Sequence, residues 1–226
     1  MNRNSNLYTI LYASVLVVFV AVLLAFTSES LRGFQKKNEA NDKRKQILRS
    51  VHVSVSTAAT EAKFNEMIKE SFLVNDKGQK VEGNAFATDA AKMFINNTFP
   101  VFVANVGGQK KYVLVMYGAG LWGPIWGYMS VNEDGNTVFG TDISHQGETP
   151  GLGAEISTAA FCSQFSGKQL FKNDVYKSIA IVKPGKTVQG QDYVDGISGG
   201  SITCIGVDRM IKKSMEYYVE FLKTIK

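Results

Sequence analysis

From Asn4 to Ser28 the chain carries no charged residue, and within that stretch Leu7 to Phe26 (LYTILYASVLVVFVAVLLAF) is apolar over 20 residues. No other feature restricts the fold as much. As a helix rising ~1.5 Å per residue, such a run crosses ~30 Å of hydrocarbon. Its few hydroxyls, on Thr9 and Ser14, can bond back to their own helix, and Tyr8 and Tyr12 fall near one interface. The reading is a membrane span over residues 7–27, retained in the mature protein, after a short tail of residues 1–6. A cleaved signal peptide is the alternative, but only Arg3 precedes the run and no small-x-small cleavage site follows it.

After the span the composition inverts. Residues 28–50 are polar, carry charges of both signs and read as a helical linker over Leu31 to Val51. Residues 51–226 remain, enough for one good-sized core in a chain that is 45% apolar. The net charge of +5 arises partly from the linker, and without interleaved exposed aromatics it makes no case for nucleic acid. Arg3 precedes the span, while Arg32, Lys36, Lys37, Lys43, Arg44, Lys45 and Arg49 follow it. By the positive-inside rule this count keeps the C-terminal domain in the cytoplasm.

Within the domain, Ala58, Ala62, Met67, Ile68 and Phe72 suggest a helix over Thr57 to Phe72, and a further helix falls at Ala87 to Phe94. Pro100 to Val106 and Lys111 to Tyr117 read as strands joined by a Gly107-Gly108 turn. Ile125 to Val131 and Thr137 to Asp142 form a second pair around Asp134-Gly135. Short strands joined by tight turns predict an α+β fold, antiparallel sheets with flanking helices segregated to one side.

The densest chemistry lies at Asp195-Gly196-Ile197-Ser198-Gly199-Gly200-Ser201-Ile202-Thr203. Two hydroxyls flank a Gly-Gly pair, an acid stands six residues before the second hydroxyl, and an amphipathic helix follows. Ile211, Met215, Tyr218, Leu222 and Ile225 mark its apolar face, while Lys212, Lys213, Glu216, Glu220 and Lys223 fall on the other. Glycines let a ligand approach the backbone, and a helix N-terminus offers free N–H groups to an anion. Taken alone, such a turn is most often only a capped connection, with Ser198 or Ser201 as N-cap. Gly196-Ile197-Ser198-Gly199-Gly200 also fits a nucleophile elbow, but a hydrolase of that kind needs its His after the Ser, and both His52 and His145 precede it.

The order Asp-x-x-Ser-Gly-Gly-Ser-Ile-Thr resembles the flavinylation signature of covalent FMN-binding domains. These occur in the C subunit of the bacterial sodium-translocating NADH:quinone reductase and in the related G subunit of the Rnf complex. Gly200 stands where Ala is usual and Ser201 where Thr is usual, and the acceptor hydroxyl is kept. By this resemblance Ser201 carries FMN through a phosphoester, with Asp195, Ser198, Gly199, Gly200 and Thr203 forming the rest of the motif. A separate flavin transferase using FAD makes the bond.

Two further blocks follow the family's order. Gly118 to Tyr128 resembles its Gly-x-Gly-Leu-Trp-x-Pro-x-x-Gly stretch, in which Trp122 or Trp126 is a flat neighbour for the flavin ring; the alternative is that both are core aromatics, a reading that fits Trp126 slightly better. Glu148-Thr149-Pro150-Gly151-Leu152-Gly153 matches the loop that lines the flavin site, with Glu148 and Thr149 able to bond the ring's polar edge or the ribityl hydroxyls. Gln35 to Leu48 resembles the juxtamembrane stretch of the sodium pump. His145 is expected to be a loop residue near the flavin, and Cys162 and Cys204 read as two buried free thiols, with pairing in an oxidising compartment as the alternative.

The resemblance implies an electron-carrying subunit in the bacterial inner membrane, single-pass, with the FMN domain on the periplasmic side. Its partners are the other subunits of the reductase, the flavin transferase and membrane lipid. That placement opposes the local charge count, and the family's arrangement is preferred because long translocated domains obey the charge rule poorly. The rival readings are the Rnf G subunit and a membrane-tethered binding module without a cofactor, which a yellow purified sample excludes.

Overall fold

The computed structural model describes residues 6–225; Arg3 and most of the 1–6 tail lie outside the described residues. The chain divides into two compact units, Met1–Lys43 and Arg44–Lys226. Helix α1 (Asn6–Ser50) is the one described helix long and apolar enough to cross a membrane. In the first unit its apolar side chains stay exposed, from Leu7 to Phe26. The second unit begins within the same helix, and there Ile47, Leu48 and Ser50 are buried.

In the second unit, α2 (Thr60–Met67) leads into β1 (Ile68–Val74) and β2 (Lys80–Val81), then a 3-10 turn running into α3 (Met93–Asn96). Four strands follow, β3 (Phe99–Val106), β4 (Gln109–Ala119), β5 (Pro124–Val131) and β6 (Val138–His145). After a 3-10 turn at Gly153–Ser157 come α4 (Ala159–Ser163), the short strands β7 (Phe171–Lys172), β8 (Val175–Tyr176), β9 (Ile179–Val182) and β10 (Asp192–Asp195), and α5 (Ser201–Thr224).

The main sheet has six strands in the order β2-β1-β3-β4-β5-β6, every neighbouring pair antiparallel. The α+β class is therefore the observed one. Two expectations are corrected. The helix sought over Thr57 to Phe72 ends at Met67, and Phe72 sits in β1 opposite Val101 of β3. The helices are not confined to one side of the sheet. Tyr218 of α5 meets Phe99, while Phe64 of α2 meets Phe102, three residues along the same strand and so on the opposite face. On that second face the end of α1 also docks, the Ser130 hydroxyl donating to Ser50 O at 2.5 Å and Arg49 gripping Asp142 through two bonds of 2.7 and 3.0 Å.

Helix α5 is the longest in the domain, and its place is set by a proline. The β3–β4 ladder stops at Val101↔Leu114. The next β3 residue is Pro100, which has no N–H to donate. Strand β4 runs on to Ala119 with that edge unpaired, and α5 takes over. Val115 N–H donates to the Tyr218 hydroxyl (3.2 Å), which itself donates to Pro100 O (2.9 Å), and Tyr117 N–H donates to Ser214 Oγ (3.2 Å). One helical turn separates Ser214 from Tyr218, matching the two-residue step between outward N–H groups on the strand. This contact fixes the N-terminal end of α5 beside the loops that leave β4 and β6.

Candidate functional site

Strands β9 and β10 pair in parallel and deliver the chain to α5. Asp195 is held through its backbone, its N–H donating to Gln164 Oε1 (2.9 Å) and its carbonyl accepting from Gln164 Nε2 (3.2 Å). Gly196 N–H then donates to Val182 O at 2.7 Å, and Gly200 N–H closes a turn onto Ile197 O at 3.1 Å. Gly199, at the corner, has φ +80°, and a Cβ there would stand 2.6 Å from Leu152 Cδ2. The positive φ is what calls for glycine; the exposed Leu152 tip could move aside.

Gly200 is the N-cap and supplies no side-chain cap; Ser201 is the first helical residue. Neither Ser198 nor Ser201 is the N-cap that a plain capped connection would use. Both are exposed, and neither hydroxyl has a hydrogen-bond partner among the described residues. The Asp195 carboxylate is likewise exposed and unpaired among them.

Thr203, two residues into the helix, is built the opposite way. It is 2% exposed, and its hydroxyl donates to Glu148 Oε2 at 2.5 Å. Glu148 is itself buried, and its other oxygen accepts the Trp122 N–H at 2.9 Å. Its own N–H donates to His145 Nδ1 at 3.1 Å. Burial alone would raise the Glu148 carboxyl, but the Thr203 hydroxyl, the Trp122 and Leu121 N–H groups and the His145 ring hold it below its usual range. One carboxylate thus joins three stretches that the sequence marks separately, around Trp122, Glu148 and Thr203. Gly153 makes room for it, since a Cβ there would collide with both Glu148 Oε2 and Thr203 Oγ1.

The Glu148–Gly153 loop consequently offers less polar surface than its sequence suggests. Both Glu148 oxygens are engaged within the chain. Gly151 N–H donates to Glu155 Oε1 and Leu152 N–H to Thr149 O, each at 3.1 Å. What stays available is the exposed Thr149 hydroxyl, the Leu152 side chain (44% exposed) and the indole of Trp122 (68% exposed). Trp126 is half-buried and donates from its ring to Gln46 Oε1 at 3.0 Å, as a packed aromatic would.

A cleft of about 270 Å³ opens beside Ser201, walled by the Ser198–Gly199 turn, Cys204 and Ile205 on one side and by Ile181 to Pro184 on the other. A larger cavity of about 620 Å³ lies at the β4 edge of α5, beside Tyr117 and Met210, and excludes Ser201. Cys204 is buried and accepts the Ile197 N–H at 3.2 Å; burial raises its thiol. Burial also pushes the Cys162 thiol up to about 11, and both cysteines are free.

Several residues that shape this site gave no sequence signal. Asp208 accepts the Ile181 N–H at 2.9 Å and so ties β9 to α5, Gln164 holds Asp195, and Lys183 faces the cleft. The partners of Asp208 and Gln164 are distant in sequence, and none of the three residues belongs to a recognisable motif.

The profile of the FMN-binding domain family matches residues 120–216, which span the three assembled stretches. The C subunit of the Na(+)-translocating NADH-quinone reductase from Pasteurella multocida is 32% identical over 240 residues, covering 93% of this chain and 90% of its own. The protein of the same name from Vibrio anguillarum is 29% identical, covering 91% and 89%. Among solved structures, the corresponding C subunit from Parabacteroides distasonis superposes with a TM-score of 0.83 at 62% identity, over 85% of this chain and 96% of its own. NqrC of Shewanella oneidensis does so with a TM-score of 0.72 at 26% identity, over 83% and 98%.

Proposed function

Because the chain belongs to the family of the C subunits of Na(+)-translocating NADH-quinone reductases, we propose that it carries electrons within such a reductase through an FMN esterified to Ser201. One observation supports the attachment point above the others. Of the hydroxyls in the motif, Thr203 is buried and committed to Glu148, whereas Ser198 and Ser201 are exposed, uncommitted and line the cleft, and of these two only Ser201 stands in α5, at its first position.

The chemistry needs little from the chain itself. With FAD as donor and a transferase as catalyst, a bond forms between Ser201 Oγ and the phosphorus of the FMN half. The pyrophosphate bond breaks, and AMP and the hydroxyl proton leave. The Gly199-Gly200 pair keeps Cβ atoms away from the acceptor, and the first N–H groups of α5 face the anion that results. Asp195 would gain nothing electrostatically beside that finished anion. Its free carboxylate fits a role during attachment, binding the transferase or its metal ion.

FMN, when bound, supplies one- and two-electron chemistry, and the chain's residues supply position and surroundings. Leu152 and Trp122 offer apolar and aromatic surface to a flat ring, Thr149 offers one hydroxyl, and Gly151 and Gly153 give the loop its shape. Glu148 acts through the loop, holding it against α5.

The span at 7–27 anchors the subunit in the bacterial inner membrane, with the FMN domain on the periplasmic side. Alkaline phosphatase fused to the C-terminus is then active; an inactive phosphatase with an active cytoplasmic reporter at the same point reverses the orientation.

The attachment is tested by co-expression with a flavin transferase and denaturing electrophoresis under ultraviolet light. The wild-type band fluoresces, Ser201→Ala is dark, Asp195→Ala is dark or faint, and Ser198→Ala keeps label. A tryptic peptide with the FMN mass on Ser198 or Thr203 defeats the assignment.

A further inference from the structure

The cleft beside Ser201 has a single charged side chain in its wall, Lys183. Its position is fixed by the local backbone. Lys183, Pro184, Gly185 and Lys186 form a turn in which Lys186 N–H donates to Lys183 O at 2.9 Å. Pro184 presets φ at the second position, and Gly185 supplies φ +77° at the third, the pattern of a type II turn. The turn is itself tied to the acceptor helix. It leaves β9, whose Ile181 N–H is bonded to Asp208 of α5 and whose Val182 O accepts the Gly196 N–H just before the Ser198-Gly199 corner.

Lys183 is exposed and has neither an ion pair nor a hydrogen bond to its side chain among the described residues. The residues lining the cleft include no carboxylate that could neutralise it. An uncompensated cation and an uncommitted acceptor hydroxyl therefore share one small cleft whose other walls carry no charge, only the Ser198 hydroxyl, the Cys204 thiol, and apolar or glycine residues.

We propose that Lys183 is the cation that pairs with the phosphodiester on Ser201 and so restrains the attached flavin, a role that rests on the phosphoester reading above. A phosphodiester carries one negative charge at any physiological pH, and a lysine ammonium meets it as a point charge from across the cleft. The N–H groups at the start of α5 approach the same phosphate from the helix side. Lys183 is a positioning residue. Esterification leaves the flavin free to swing about single bonds, and a second contact on the phosphate reduces that freedom.

Lys186 provides the control. It sits in the same turn, is equally exposed, and does not line the cleft. The test uses the full chain, purified in detergent after co-expression with a flavin transferase. In-gel fluorescence reports attachment, 31P NMR reports the phosphate's surroundings, and steady-state flavin anisotropy reports restraint. Lys183→Gln is expected to carry label, with a displaced 31P resonance and lowered anisotropy, while Lys183→Arg and Lys186→Gln match the wild type. Salt sharpens the reading. Wild-type anisotropy should fall towards that of Lys183→Gln as ionic strength approaches 1 M, where the Debye length is only ~3 Å, and Lys183→Gln should not change. A labelled Lys183→Gln with wild-type resonance and anisotropy overturns the proposal, as does an equal effect of Lys186→Gln. If Lys183→Gln is unlabelled, a labelled Lys183→Arg supports a charge contact with the phosphate, and a dark Lys183→Arg overturns it. A dark wild-type band sinks the phosphoester reading itself and this proposal with it.

Discussion

From Met210 to Leu222, α5 buries Met210, Ile211, Ser214, Met215, Tyr218, Phe221 and Leu222, whereas between Ser201 and Ile205 it exposes Ser201, Ile202 and Ile205. The polar atoms differ in the same way. In the buried part, the Ser214 and Tyr218 hydroxyls complete the unpaired edge of β4. Around the first turn, Ser198, Ser201, Asp195 and Lys183 have no side-chain partner among the described residues. A buried hydroxyl left without a partner costs ~1–3 kcal/mol, while an exposed one costs almost nothing because water serves it. The far part of the helix is therefore built to hold the sheet. The near part leaves its polar side chains to solvent and, on the function proposed above, to the phosphate.

The largest effect that could break this comparison lies in the far part. Tyr218 is fully buried, stacks its edge against Phe99, and bridges β3 to β4 through its hydroxyl. Tyr218→Ala should destabilise the domain by about 4 kcal/mol through the cavity and the two stranded backbone groups, and Tyr218→Phe by about 1–2. Urea unfolding followed by tryptophan fluorescence measures both. If Tyr218→Ala costs less than about 1 kcal/mol, α5 is not the element that completes the sheet.

The clamp between the two parts comes next in size. Thr203→Val keeps the shape but removes the donor to Glu148, leaving a buried carboxylate oxygen short of one bond, and should cost about 1–3 kcal/mol. Glu148 adds a pH signature. Its folded carboxyl lies below its unfolded value. Its contribution is thus complete above the ordinary glutamate range, ~4.3, and is lost as pH falls through the folded value. Wild type should exceed Glu148→Gln in stability at neutral pH, and the difference should shrink only in acid below that range. A difference that instead grows as pH falls would show that the carboxyl is raised, not lowered.

How much of this was legible before the structure depended on the distance between partners. Strands β3 to β6 could be read because alternation and the turn glycines are local; Gly107, Gly108 and Gly135 indeed take positive φ. The face of α5 could be read from its own spacing. The helix sought through Phe72 could not be told from a strand, because what settles Ile68 to Val74 is pairing with β3, some thirty residues away. Residues 165–195 gave no elements, since β7 to β10 are two to four residues long. The same limit held at the site. The Ser201, Glu148 and Trp122 stretches stood out individually, but the bond from Thr203 to Glu148 spans 55 residues, and only the fold makes a clamp of it. Glu148 therefore read as a ligand when its oxygens were already engaged.

The smallest effect on stability carries the sharpest test of the near part. Thr149 is exposed, and its hydroxyl has no partner among the described residues, so the native chain loses nothing when it goes. Thr149→Ala should change stability by no more than about 0.5 kcal/mol, as surface substitutions do. Its main-chain carbonyl, which anchors Leu152 and Ala154, is kept. If the loop faces the flavin, the same substitution should shift the flavin's absorbance or midpoint potential while the in-gel fluorescence stays at the wild-type level. The two readouts separate the possibilities cleanly. A lost label would mean that the loop serves attachment. An unchanged spectrum and potential, with label intact, would mean that the free hydroxyl of this loop faces solvent and that the flavin is held by the turn and the cleft alone.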